Sequence, residues 1–247
     1  MTNAVFTGKE KIKVVAFDLD GTLTQHRSPL EEENRRLLEA LSKKYKLLMV
    51  GAGTCKRIFE QMGNFPIDII GNYGLQYAEY DKASGDIVIK EEKTFPCDKE
   101  SVSKRAELFR NETGYLTYAG APVEFHSSGN VTFPFLGTAA DINDKLAFDP
   151  TREKRRALYG RFCELFPEFT VFVGGSSSYD MVPAPNDKAY AIDTYCRRFG
   201  LSHENVLYVG DDYEPGGNDY AVFASDIPFV CTDDYRKTKE ILRFLLY

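Results

Sequence analysis

The sequence predicts an α/β fold: a largely parallel, doubly wound sheet built from two separate stretches of chain, with an α+β segment inserted between them. Three observations carry this expectation. Short apolar runs alternate with helix-length segments up to about residue 75, in the order βαβαβ. The middle of the chain turns instead to strand pairs around Gly-containing turns. Parallel α/β character returns from residue 187 to the end, so the expected boundaries are 1–82 and 187–247 for the core and 83–186 for the insert.

The elements follow in order. In KVVAFDLD (13–20), the apolar residues Val14 to Phe17 run straight into carboxylates, the pattern of a strand buried on both faces. Residues 29–44 read as a helix with Ser28 as N-cap and Pro29 in the first turn; acids lead and bases close it, as the helix dipole prefers. KLLMV (46–50) is the next strand, GAGT a loop, Cys55 to Met62 a helix, and IDIIG (67–71) a third strand. LQYAEYDKASGDIVIK reads as a hairpin turning at Ser84-Gly85-Asp86. The insert continues with a helix at 98–113, two strands in 123–137, a basic helix over 150–165, and the strands FTVFVGG and SSYDMVP. The returning core has a helix from Asp187 to Phe199, the strand VLYVGDD ending in acids, the strand IPFV, and a closing helix from Asp234 to Leu246.

Composition excludes several classes. The 247 residues carry 31 basic against 37 acidic side chains, a net charge of −6, which disfavours nucleic acid as a partner because phosphate backbones need clustered Lys and Arg. No apolar run approaches membrane-spanning length, and MTNAVFTGKE lacks a signal-peptide h-region, so no membrane partner is expected. Five cysteines, an odd number at long spacings without a CxxC pair, fit a reducing, cytoplasmic setting. The three histidines are scattered, so a metal is expected on carboxylates, which favours a hard ion such as Mg²⁺.

Two acidic clusters stand at predicted strand ends: Asp18-Leu19-Asp20-Gly21-Thr22 and Gly210-Asp211-Asp212. Ligands of open α/β sheets bind beyond the carboxyl ends of the strands. Three or more carboxylates around one point repel each other unless a cation neutralises them, and Mg²⁺ with a phosphorylated substrate answers that need.

The stretch VVAFDLDGTLT (14–24) resembles the first motif of the haloacid dehalogenase (HAD) superfamily of phosphotransferases. Thr54 after the second strand, Lys188 at the opening of the returning core, and GDDYEPGGND (210–219) follow in the order of that family's other motifs. The insert resembles its C2-type cap. Within the superfamily the chain is most similar to eukaryotic-type phosphomannomutases: Asp18 to Thr24 with Arg27, the GGxxSxDxxPxxxDK pattern from Gly174 to Lys188, and PGGND at 215–219 carry that likeness.

The resemblance implies an HAD-like Rossmannoid core with a parallel sheet, an inserted α+β cap, Mg²⁺ as cofactor and a small phosphorylated substrate, expected to be a sugar phosphate. It implies Asp18 as nucleophile, forming an aspartyl phosphate, and Asp20 as general acid and base. Thr54 and Lys188 would hold the phosphoryl oxygens. Asp18, the carbonyl of Asp20 and Asp211 would hold the metal, with Asp219 supporting. Gly216-Gly217 would bring backbone close to the metal loop. Arg27, Lys145, Ser178 and Asp180 are the implied substrate-binding residues. Where the family's cap grips the remote phosphate with arginines, the aligned residues here are His126, Thr138 and Lys145. That loss of bidentate cations makes hydrolysis the expected net reaction, with a phosphohexomutase of the phosphomannomutase type as the alternative. Caps of this family can dimerise, so a homodimer through the cap is among the expectations.

Overall fold

A computed structural model describes residues 8–247, so most of the decapeptide read as lacking a secretory leader lies outside the described residues. The described residues form two units: 8–92, 188–213 and 219–247, and 93–187 with 214–218. In chain order the first unit contributes β1 (Val14–Phe17), α1 (Glu32–Leu41), β2 (Lys46–Val50), α2 (Cys55–Gln61), β3 (Asp68–Gly71), β4 (Gln76–Asp81) and β5 (Asp86–Glu92). The second contributes α3 (Lys99–Thr113), β6 (Glu124–Phe125), β7 (Val131–Pro134), α4 (Ile142–Phe148), α5 (Glu153–Leu165), β8 (Phe169–Phe172) and β9 (Ser178–Pro183). The first unit then resumes with α6 (Lys188–Phe199), β10 (Val206–Gly210), α7 (Tyr220–Phe223), β11 (Phe229–Cys231), α8 (Thr238–Ile241) and α9 (Arg243–Leu246).

The first unit is a seven-stranded sheet in the order β11-β10-β1-β2-β3-β4-β5. The five strands from β11 to β3 are parallel, and β4 and β5 run antiparallel at one edge. Every residue of β1 and β10 is buried, because separate apolar clusters cover the two faces. Val15, Phe17, Met49 and Leu207 enter one cluster; Val14, Ala16, Leu48 and Tyr208 enter the other. The alternation of one apolar run between two cores is the strand period acting on a doubly covered sheet.

Several boundaries differ from the sequence reading. The core does not stop at 82: β5 pairs with β4 from Asp81↔Asp86 to Gln76↔Glu92 and completes the sheet edge, so the second unit begins at Lys93. The first helix starts at Glu32 rather than Pro29. Arg27 has a φ of 55°, Ser28 N–H closes a turn onto Gln25 O, and Leu30 N–H bonds Gln61 O, so residues 27–31 are held outside the helix. The expected closing helix is a 3₁₀ turn followed by α8 and α9, interrupted at Leu242. Leu242 and Leu245 both lie in the core.

The second unit is a four-stranded antiparallel sheet, β6-β7-β9-β8. Phe109 of α3 and Phe162 of α5 meet Phe133 and Tyr179 of the sheet, with Phe135 just beyond β7, in an aromatic core. Arg110 and Arg155 are buried inside this unit, and their terminal guanidinium nitrogens are bonded to its backbone carbonyls. Arg110 donates to the carbonyls of Tyr115, Phe135, Pro122 and Pro134. Arg155 pairs with Asp149 at 3.0 Å and reaches the carbonyls of Gly174, Gly175 and Ser178. Among the described residues no helix is long and apolar enough to cross a membrane.

Candidate active site

The register of the central strands builds the site. Phe17 lies opposite Val209, and the N–H of Asp18 donates to Val209 O at 2.9 Å. The acids that follow β1 and β10 therefore leave the sheet side by side. Asp18, Asp211 and Asp219 each place a carboxylate oxygen within 4.8 Å of the others. Two glycines permit this approach. A Cβ on Gly21, whose φ is +100°, would stand 2.4 Å from Asp211 Oδ2, and one on Gly210 would stand 2.6 Å from Asp219 Oδ2. Thr22 Oγ1 donates to Asp211 Oδ1 at 2.9 Å, and Thr238 Oγ1 in turn donates to Thr22 O at 2.6 Å.

Lys188, the first residue of α6, joins the carboxylates. Its ammonium donates to Asp18 Oδ1 at 2.6 Å and to Asp219 Oδ1 at 2.7 Å, and the side chain is fully buried. Burial pulls a lysine towards neutrality, but the charges of Asp18 and Asp219 outweigh it and hold the ammonium protonated. Burial pushes the Asp18 carboxyl up, opposed by Lys188 and reinforced by Asp219 and Asp211. Asp211 is pushed up by burial and then by Asp219. Both shifts have burial as their first cause, and crowding adds to it: three carboxylates surround one ammonium. The donor set is all-oxygen, hard and short of positive charge, which fits a divalent cation such as Mg²⁺.

Asp219 differs from the other two acids. Oδ1 accepts from Lys188 and from Tyr208 OH at 2.6 Å, while Oδ2 accepts the N–H groups of Asp211 and Asp212, each at 3.0 Å. Four donors fill both oxygens, so Asp219 orients Lys188 and the Asp211 loop, and Asp18 and Asp211 are the carboxylates with room for a metal. Tyr208 was missed from the sequence. Its signal is a phenol inside the wholly buried strand VLYVG, where the OH must find a partner.

Asp20 stands apart from this cluster. Its Oδ1 accepts the backbone N–H of Arg27 at 2.7 Å and Gln61 Nε2 at 2.7 Å. Arg27 was expected to bind substrate; its side chain is exposed, and its backbone, in a left-handed conformation, is what fastens Asp20. Thr54 was expected beside the phosphoryl group. Its exposed hydroxyl N-caps α2 by accepting the Arg57 N–H at 3.3 Å.

The remaining residues lie in the second unit. Ser178 and Asp180 share the face of β9 opposite the core residue Tyr179. Ser178 Oγ donates to Gly174 O at 3.1 Å. Thr132 Oγ1 lies 3.5 Å from Asp180 Oδ1 and 3.1 Å from His126 Nε2, forming one polar row across β7 and β9. Lys145 donates its ammonium to Thr138 O at 2.9 Å. Gly216 was expected to bring backbone close to the metal loop; the contacts seen for it lie within its own unit. It packs with a φ of +83° against Val173 and Tyr159, and Val173 N–H bonds its carbonyl.

The chain matches the family described as eukaryotic phosphomannomutase over residues 119–243, half of its length. The chain belongs to this phosphomannomutase family. It is similar to the phosphomannomutase of Saccharomyces cerevisiae, at 26% identity over 239 residues covering 92% of this chain and 91% of the yeast protein. It is likewise similar to phosphomannomutase 1 of Homo sapiens, at 25% identity over 87% of this chain and 84% of the human one. Among solved structures, an IMP-bound, N-terminally truncated IMP-nucleotidase of Plasmodium falciparum superposes with a TM-score of 0.73 at 13% identity, over 97% of this chain and 69% of that one. A structure described as showing a trigonal-bipyramidal intermediate in a phosphoryl-transfer superfamily superposes with a TM-score of 0.63 at 16% identity, over 96% of this chain and 100% of that one. The structural likenesses establish the HAD-like core-and-cap fold. With the family membership, they make this phosphomannomutase-family chain an HAD-type phosphotransfer enzyme.

Proposed function

We propose that this family member is a Mg²⁺-dependent phosphohexomutase, interconverting hexose 1- and 6-phosphates, rather than the hydrolase that the cap substitutions suggested. The observation that carries the reading is the span of the family match. It covers residues 119–243, most of the second unit as well as the returning core. Core motifs serve hydrolases and mutases alike; the cap is the part that distinguishes them. The free cysteines suit a reducing compartment, and a cytoplasmic enzyme on a small soluble phosphosugar agrees with that.

In this reading the Asp18 carboxylate attacks phosphorus, the bond from phosphorus to the leaving oxygen breaks, and Asp20 gives that oxygen its proton. A sugar hydroxyl then attacks the phosphoryl group on Asp18, gives its proton back to Asp20, and restores the free carboxylate. Lys188 holds Asp18 in place and supplies a fixed positive charge beside it. Asp18, the carbonyl of Asp20 and Asp211 would hold Mg²⁺, with Asp219 setting the Asp211 backbone; the ion would neutralise phosphoryl oxygens as charge develops. Ser178, Asp180 and Lys145 would contact the sugar phosphate.

One observation keeps hydrolysis as the second reading. The arginine-aligned positions are His126, Thr138 and Lys145, the Lys145 ammonium is bonded to a backbone carbonyl, and the buried Arg110 and Arg155 are committed to carbonyls of their own unit. The deciding experiment is a coupled isomerisation assay on mannose and glucose 1-phosphates with a hexose 1,6-bisphosphate activator, run beside phosphate release. Isomerisation should outpace release by about tenfold or more, and folded Asp18→Asn should do neither. Phosphate release outpacing isomerisation would make the enzyme a phosphatase.

A further inference from the structure

The last residue of α2 carries an interaction that no motif assigns. Gln61 Nε2 donates to Asp20 Oδ1 at 2.7 Å and lies 3.2 Å from Thr24 Oγ1 and 3.1 Å from Ser28 O. Its own Oε1 accepts from Arg57 Nη1 at 2.9 Å, one turn back along α2. A guanidinium has only donors, so Arg57 decides which end of the amide turns to Asp20. With Oε1 held by Arg57, the NH₂ end faces the carboxyl. Arg57 Nη2 also lies 3.9 Å from Asp20 Oδ2.

The consequence falls on the two oxygens of Asp20. Oδ1 gathers the Arg27 N–H and the Gln61 amide, with Thr24 Oγ1 at 3.5 Å. An oxygen surrounded by donors is the carbonyl-like oxygen of a carboxylic acid, and the proton belongs on the other one.

We propose that Gln61, oriented by Arg57, is a positioning residue for Asp20: it pins Oδ1 as the accepting oxygen so that Oδ2 is the one that carries the proton to and from the reacting oxygen. This rests on the reading of Asp20 as general acid and base. It is indifferent to the choice between mutase and phosphatase, because both use the same first protonation.

The test uses two variants and two leaving groups in the full-length enzyme with Mg²⁺. Gln61→Glu keeps the shape and the contact with Arg57, which holds the new carboxylate ionised, but removes the donor. Gln61→Leu removes both polar contacts. kcat/KM is measured on a hexose phosphate, whose departing alkoxide needs a proton, and on p-nitrophenyl phosphate, whose phenolate hardly does. Both variants should lose about tenfold or more on the hexose phosphate and less than about threefold on the aryl phosphate, with melting temperatures like the parent. Equal losses on the two substrates, or an unimpaired Gln61→Glu, would overturn the proposal and leave Gln61 as packing. Asp20→Asn in the same assay separates the two ideas. If it shows the leaving-group dependence and the Gln61 variants do not, the positioning role fails alone; if it slows both substrates equally, the acid-base reading of Asp20 fails and the proposal falls with it.

Discussion

Replacing Tyr208 with Phe removes a single oxygen from the centre of the site. The phenol donates to Asp219 Oδ1 at 2.6 Å, and both residues are fully buried. A hydrogen bond to a charged group contributes about 1.5–3 kcal/mol to stability. Asp219 Oδ1 keeps Lys188 as a donor, so the acceptor is not orphaned, and the ring of Phe preserves the packing against Phe229. The expected loss therefore lies in the lower half of that range, at about 1.5–2 kcal/mol. For a chain of this length each kcal/mol moves the melting temperature by about 2–4 °C, so Tyr208→Phe should melt about 3–8 °C below the parent. Burial, then Asp219 and Asp18, push the Tyr208 phenol far above its ordinary range. It stays a neutral donor at neutral pH, and the loss should be the same from pH 6 to pH 8. Scanning calorimetry at several pH values, with urea unfolding as a check, measures it. A shift below about 1 °C, or one that changes with pH across that interval, would refute the reasoning that this bond fastens Asp219.

Arg155→Met should destabilise the second unit by about 3–5 kcal/mol, because it leaves the buried Asp149 carboxylate unpaired. Hydrogen exchange should show β8 and β9 losing protection while β1 keeps it, and uniform protection in both units would count against the assignment. His203 predicts a pH dependence. The hydrogen bond that its Nδ1–H donates to Asp226 raises its pKa, against a smaller pull from partial burial, and Asp193 adds to the rise. The stabilisation is complete below the unfolded histidine value of about 6.5 and is lost as pH rises through the higher folded value. His203→Gln should therefore be less stable than the parent at pH 6, with the gap in urea midpoint closing towards pH 8; a gap that widens would reverse the sign.

Much of the core was legible because its signals are local. Val14 to Phe17 running into Asp18 announces both a buried strand and the acid at its end, and Val206 to Gly210 running into Asp211 does the same. The hairpin at Ser84-Gly85 was legible as a hairpin but not as part of the core, because its alternation reads the same in either sheet. Pro29 and the acids after it mimic a helix start; nothing local shows that Arg27 must turn left-handed to present its N–H to Asp20. The partnership of Lys188 with Asp219 and Tyr208 joins residues far apart in sequence and exists only once β10 and α6 have packed. Gln61 gave no signal at all, since a glutamine closing a short helix is ordinary until its amide meets Asp20.

The pairing of β1 with β10 also bears on how the protein is made. Val14 sits opposite Val206, so the strand at the middle of the sheet waits for a partner synthesised about 190 residues later. At ribosomal speeds of about 5–20 residues per second, that is a delay of roughly 10–40 s. Throughout it, β1 presents a bare apolar parallel edge, the kind of surface that nascent chains lose to aggregation. The insert, whose strands pair only with one another, can fold during that interval; the catalytic half cannot close until nearly its last residues have left the ribosome. Yield in a heterologous host should therefore depend on chaperone supply during elongation more than on the stability of the finished enzyme.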